Sequence, residues 1–164
     1  MSTLEEVVLA TLLGGVEGAG AHADSSRALD GLDWRLAGKV VEGAPYTVMQ
    51  EANHIIWWNG YTIALFRGET PTPPAHAVDG WPGPAAPASD EEWQAFLRAY
   101  KASLEALKAA AREGRHAEPL RKEGRPRADL LRAMGQHVSY HVGQIALLRR
   151  MMGAWPPPGG GDTW

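Results

Sequence analysis

Glycine and proline cut this chain into a few stretches, and inside them apolar residues return every three or four positions. Nineteen glycines and twelve prolines fall among 164 residues, largely in runs that separate the periodic segments. No window of four or more residues alternates strictly between apolar and polar with β-branched enrichment, so a sheet has little support. Leu4, Val7, Val8, Thr11 and Leu12 predict a short amphipathic helix over 2–13, ended by the glycines at 14, 15, 18 and 20. A second helical pattern begins at Asp24 or Ser25, with Leu29, Leu32 and Leu36 on one side, and stops at Gly38 and at Glu42-Gly43-Ala44-Pro45. The two pieces form one kinked arm.

Thr47-Val48-Met49-Gln50 has the form of a capping box, in which the Thr hydroxyl and the Gln side chain satisfy each other's backbone N–H groups. A helix from there to Arg67 is stopped by Gly68. Residues 69 to 88 hold six of the twelve prolines and predict a long loop, a length that is uncommon without a functional reason. Ser89-Asp90-Glu91-Glu92 is a second capping box, opening a helix through Trp93, Phe96, Leu97, Tyr100, Leu104 and Leu107 that ends at Gly114. A charged connection over 115–127 leads to a last helix over 128–152, its inner side Leu130, Leu131, Met134, Val138, Ile145, Leu148 and Met152, ended by Gly153. The expected fold is all-α: an antiparallel four-helix bundle with a kinked or split N-terminal helix and a long Pro-rich loop between helices 2 and 3.

The length suits a single domain over 1–164, and 45% hydrophobic with 21% charged residues suits a packed core rather than disorder. A net charge of -3 offers no general attraction for nucleic acid or anionic lipid. Glu5 and Glu6 stand where a signal peptide needs positive charge, which predicts a cytoplasmic protein, and the uncharged stretch 52–66 is too short and polar to span a bilayer. The chain has no cysteine, so thiolate metal sites, disulfides and a Cys nucleophile are excluded. Any metal must be held by His, Asp or Glu. The Pro/Gly-rich tail 155–164 has the composition of a loose end, expected to be pinned by the bundle or by a neighbouring chain.

His137 and His141 stand four apart, on one face of the last helix and one turn from each other. The spacing alone is weak, since six histidines in this length produce roughly 0.2 such pairs by chance. Their position in the inner stripe strengthens it, because buried imidazoles need partners for both nitrogens and a metal supplies one. His54, near the buried stripe of the second long helix, is the candidate third ligand. Three His with an open fourth position suit a catalytic divalent ion, zinc by default, with nickel or iron as alternatives. Gln144 and Glu51 project near this site, Glu51 as a candidate general base, and Trp57, Trp58 and Tyr61 share the face of His54 as core or as a substrate wall. Residues 69 to 88, with Trp81, are expected to border the entrance. His22 is read as a surface residue, with helix capping or a place at the site mouth as alternatives; His76 and His116 as solvated loop residues. Arg121, Lys122, Arg125, Arg127 and Arg132 form a basic cluster interrupted by Glu118, Glu123 and Asp129.

The segment Ala44-Pro45-Tyr46-Thr47 leading into Glu51-Ala52-Asn53-His54, and the late His137-Val138-Ser139-Tyr140-His141-Val142-Gly143-Gln144-Ile145, resemble the DinB-like superfamily. The resemblance covers nearly the whole chain. It implies a four-helix bundle with a three-His divalent metal site, His54 from the second helix and His137 and His141 from the fourth, and a homodimer. The superfamily includes damage-inducible proteins, YfiT-type metal-dependent hydrolases and transferases that use low-molecular-weight thiols such as bacillithiol or mycothiol. The implied function is a metal-dependent enzyme acting on a small molecule, a thiol S-transferase or a hydrolase. The alternative is a non-catalytic metal-binding, small-ligand-binding or stress-response protein.

Overall fold

A computed structural model describes residues 2–18, 21–120 and 124–160. Gly20, Arg121, Lys122, Glu123 and the tail residues 161–164 lie outside the described residues. Every regular element among them is helical: α1 (Leu4–Glu17), α2 (Trp34–Ala37), α3 (Val48–Arg67), α4 (Asp90–Ala111) and α5 (Ala128–Met151), with 3-10 turns at Ser25–Arg27 and Ala77–Gly80. One isolated bridge joins Pro119 and Pro126. The long helices pack α1 on α5, α5 on α3 and α3 on α4, with α4 also touching α1. No helix among the described residues is long and apolar enough to cross a membrane.

The helix starts follow local chemistry. Thr47 accepts from Gln50 N while the Gln50 side chain accepts from Thr47 N, closing the box that opens α3, and Gly68 ends that helix at φ 87°. Thr3 and Glu6 form the same reciprocal box on α1, a signal the apolar pattern left unread. Ser89 caps α4, but Glu92 turns to Ala88 N, so only half of the expected box forms. α4 ends at Ala111, short of Gly114.

Two expectations fail at the N-terminal side. Gly14 and Gly15 do not end the first helix; it continues to Glu17 and stops at Gly18, φ 81°. Leu12, Leu13 and Val16 are its buried residues, while Leu4 and Val7 are exposed. The reason is a close crossing with α5: a Cβ on Gly15 would lie 2.5 Å from the Gly135 carbonyl carbon and oxygen. These glycines serve contact between backbones, at a cost of about 1 kcal/mol each in helix propensity.

The second helical pattern does not become a helix either, but only a 3-10 turn and the four-residue α2, so the kinked arm is absent. Asp24 and Asp33 accept from Ser26 N and Arg35 N and restart the chain at each point. The carbonyls between them are taken by side chains of other elements. Tyr100 Oη donates to Ser25 O, Trp93 Nε1 to Leu32 O, and the buried Arg149 guanidinium to Ala28 O and Asp30 O. Leu29 and Leu32 are still buried as their spacing predicts.

Arg149 Nε also donates to Ala154 O, Arg27 Nη2 donates to Pro158 O, and Pro158 packs against Gly31, so the tail is pinned to its own chain as far as Pro158. Of the basic cluster, the described members are all ion-paired. Arg127 is 6% exposed, donates to Phe66 O and pairs with Glu118, while Arg125 and Arg132 pair with Asp129. His116 is no solvated loop residue: it is half-buried, its Nε2 2.5 Å from Ala111 O at the end of α4. His76 is exposed, as expected.

Candidate metal centre

His54 sits two turns into α3, with Glu51 one turn before it and Trp58 one turn after, and all three face α5. On α5, Met134, Val138, His141, Val142, Ile145 and Leu148 are buried and His137 is half-buried at the edge of that face. The packing of α3 on α5 brings the three imidazoles together. His137 Nε2 stands 3.1 Å from His54 Nε2 and 3.1 Å from His141 Nε2. One nitrogen from each ring lies within 4.8 Å of the others, a set capable of holding a metal ion.

The far sides of two rings are held. His54 donates from Nδ1 to Gly80 O at 2.5 Å, and His141 donates from Nδ1 to Glu51 Oε2 at 2.6 Å. Those acceptors place the ring protons on Nδ1 and leave both Nε2 atoms as lone pairs. His137 can offer a proton to one of them, not both, and its own buried Nδ1 has no partner. Burial holds the His54 imidazolium down to about 4, the bond to Gly80 opposing and the neighbouring His141 adding to the shift. Burial also lowers His137 to about 3, with His141 and His54 contributing. Three converging nitrogens, two of them on rings that burial keeps neutral, fit a cation: tetrahedral ligands at about 2.0–2.1 Å from zinc stand about 3.3 Å apart.

Aromatic rings surround the cluster. Trp81 stacks on His54 with centroids 3.9 Å apart, Tyr46 stacks on Trp81 at 3.6 Å, and Trp58 stands edge-on to His54 and His137. Trp57 and Tyr61 stack on each other beyond Trp58. Residues 80–82 therefore lie beside His54, where the Pro-rich segment was expected to border the site. Gly80 was not singled out by sequence, and Tyr46 and Asn53 stood only within the segments that carry the resemblance, with no role of their own, because a backbone carbonyl and a ring stack leave no periodicity to read.

Three candidates lie elsewhere or meet the cluster differently. His22 neither caps a helix nor reaches the cluster: it is half-buried, with Nδ1 on Ala23 O and Nε2 on Ser139 Oγ, while Ser139 donates to Gly15 O. Ser139 points about 200° round α5 from His137, so His22 is on another side of that helix. Gln144 is half-buried and bonds to none of the three histidines among the described residues. Glu51 is 1% exposed and faces the Nδ1 side of His141.

An all-helical chain with a buried three-His cluster drawn from two helices is the class that fold and site define together. The sequence profile of the DinB superfamily matches residues 20–145, and the chain belongs to that superfamily. No curated protein and no solved structure matches it.

Proposed function

We propose that this protein is a metal-dependent enzyme acting on a small molecule, a thiol S-transferase or a hydrolase, built on a four-helix bundle. His54, His137 and His141 would hold one divalent ion, zinc before nickel or iron, with a coordination position left open. The observation that supports this is the convergence of three Nε2 atoms, two of them with their ring protons committed to Gly80 and Glu51. The ion would act as a Lewis acid on a water, a thiol or a substrate oxygen. Glu51, on the rear nitrogen of His141, orients that ring rather than meeting substrate. Trp57, Trp58 and Tyr61 offer an uncharged wall for the organic part of a substrate. A transferred thiol must come from a cosubstrate, since the chain has no cysteine.

Elemental analysis of protein purified without added metal tests the reading. One divalent ion per chain is expected, lost in His141→Ala while the helical circular dichroism persists. Unchanged metal content in that variant would remove the assignment. Screens for thiol transfer and hydrolysis then separate the two reactions, and bound metal with no turnover in either favours the binding-protein alternative.

A further inference from the structure

The segment that follows the 3-10 turn Ala77–Gly80 crosses the beginning of α3 as a strap fastened at three points. Thr47 Oγ1 donates to Ala85 O at 2.5 Å, Asn53 Nδ2 donates to Pro82 O, and His54 Nδ1 donates to Gly80 O. Its glycines are fitted to what lies beneath. A Cβ on Gly80 would meet Trp58 Nε1 at 3.2 Å and His54 Cε1 at 3.6 Å, and one on Gly83, at φ +88°, would meet Asn53 Nδ2 at 2.6 Å.

Trp81 closes the arrangement. It lies nearly parallel to both His54 and Tyr46, at 15° and 10°, with centroids under 4 Å from each. Two rings cannot share one indole face at that distance, so Trp81 is sandwiched between them. A hydrogen bond at Nδ1 fixes one point of an imidazole and leaves rotation about the N···O line. Contact across the ring face removes that rotation. His137, by contrast, has no partner at Nδ1.

We propose that Trp81, clamped by Tyr46 and carried by the strap over residues 80–85, is a positioning residue for His54, so that metal affinity and order in the strap are coupled. This rests on the metal-centre reading above. Coupling is reciprocal: if the strap favours the ring orientation that binds the ion, the ion favours the seated strap by the same factor.

The test measures zinc affinity of the full chain by chelator competition for wild type, Trp81→Ala, Trp81→Phe and Tyr46→Leu, with hydrogen exchange over residues 80–85 with and without zinc. Loss of an outer partner of a metal-binding His weakens binding about 10- to 100-fold, and Trp81→Ala is expected in that range, with Trp81→Phe restored close to wild type. Zinc should slow exchange in the wild-type strap and not in Trp81→Ala. Wild-type affinity in Trp81→Ala, or a strap whose exchange ignores zinc, would overturn the proposal. Should Trp81→Ala lose its helical signal, Tyr46→Leu decides: weakened binding supports the clamp and unchanged binding rejects it. A wild-type chain that binds no zinc brings down the metal-centre reading and this one with it.

Discussion

The three imidazoles differ in how they are held, and that difference governs what pH does to the metal-free protein. Burial keeps His54 and His137 neutral, with folded values near 4 and 3 against an ordinary 6.5. A depressed folded value means that the unfolded chain binds more protons, so stability is full above about 6.5 and falls as pH drops toward 4. Urea unfolding of metal-free protein should therefore give lower stability at pH 5 than at pH 7, in a window where ordinary carboxylates remain ionised. Replacing His137 by Gln should flatten that dependence, and an equal slope in both proteins would rule out this origin. The sequence placed Glu51 near the site by its spacing from His54. It could not say which side of which ring the carboxylate would meet, because that depends on the angle at which α5 crosses α3.

Helix boundaries were readable wherever one residue carries the signal within its own turn, as with Thr47 and Gln50 at the start of α3 and Gly68 at its end. They were misread where a distant partner decides. Gly15 looks like a terminator in isolation, yet α1 runs through it because Gly135 lies against it. Gly15→Ala should improve helix propensity and still destabilise the protein, by about 1–3 kcal/mol, through overpacking against backbone that cannot yield. A thermal melt checks the sign, and a raised midpoint would show that the crossing can open without cost. The leucines at 29, 32 and 36 have helical spacing, but Tyr100, Trp93 and Arg149 take carbonyls in that segment, which instead forms turns. Side chains some 60 to 120 residues away are invisible to a local pattern.

For the molecule as a whole, an ion held between α3 and α5 would join elements far apart in sequence, with His54 linked through Gly80 to the strap. Anything that binds the folded chain and not the unfolded one stabilises it, by about 2.7 kcal/mol at a free concentration 100 times Kd. Zinc at that excess should raise the midpoint by about 5–10 °C for a chain of this size, and a chelator should reverse the gain. A midpoint indifferent to both would argue against an ion at this site. The order of residues sufficed for the helical class, for three of the long helices nearly to their ends, and for the choice of His54, His137 and His141, because capping, periodicity and residue chemistry act over a turn or two. It was silent on the Gly15–Gly135 crossing, the replacement of one helix over 24–37 by turns and the four-residue α2, and the carbonyl of Gly80 with the sandwiched Trp81 behind His54. Those arise from groups that meet only when the chain has closed on itself, where shape and unpaired hydrogen-bonding groups select the partner and distance along the chain does not.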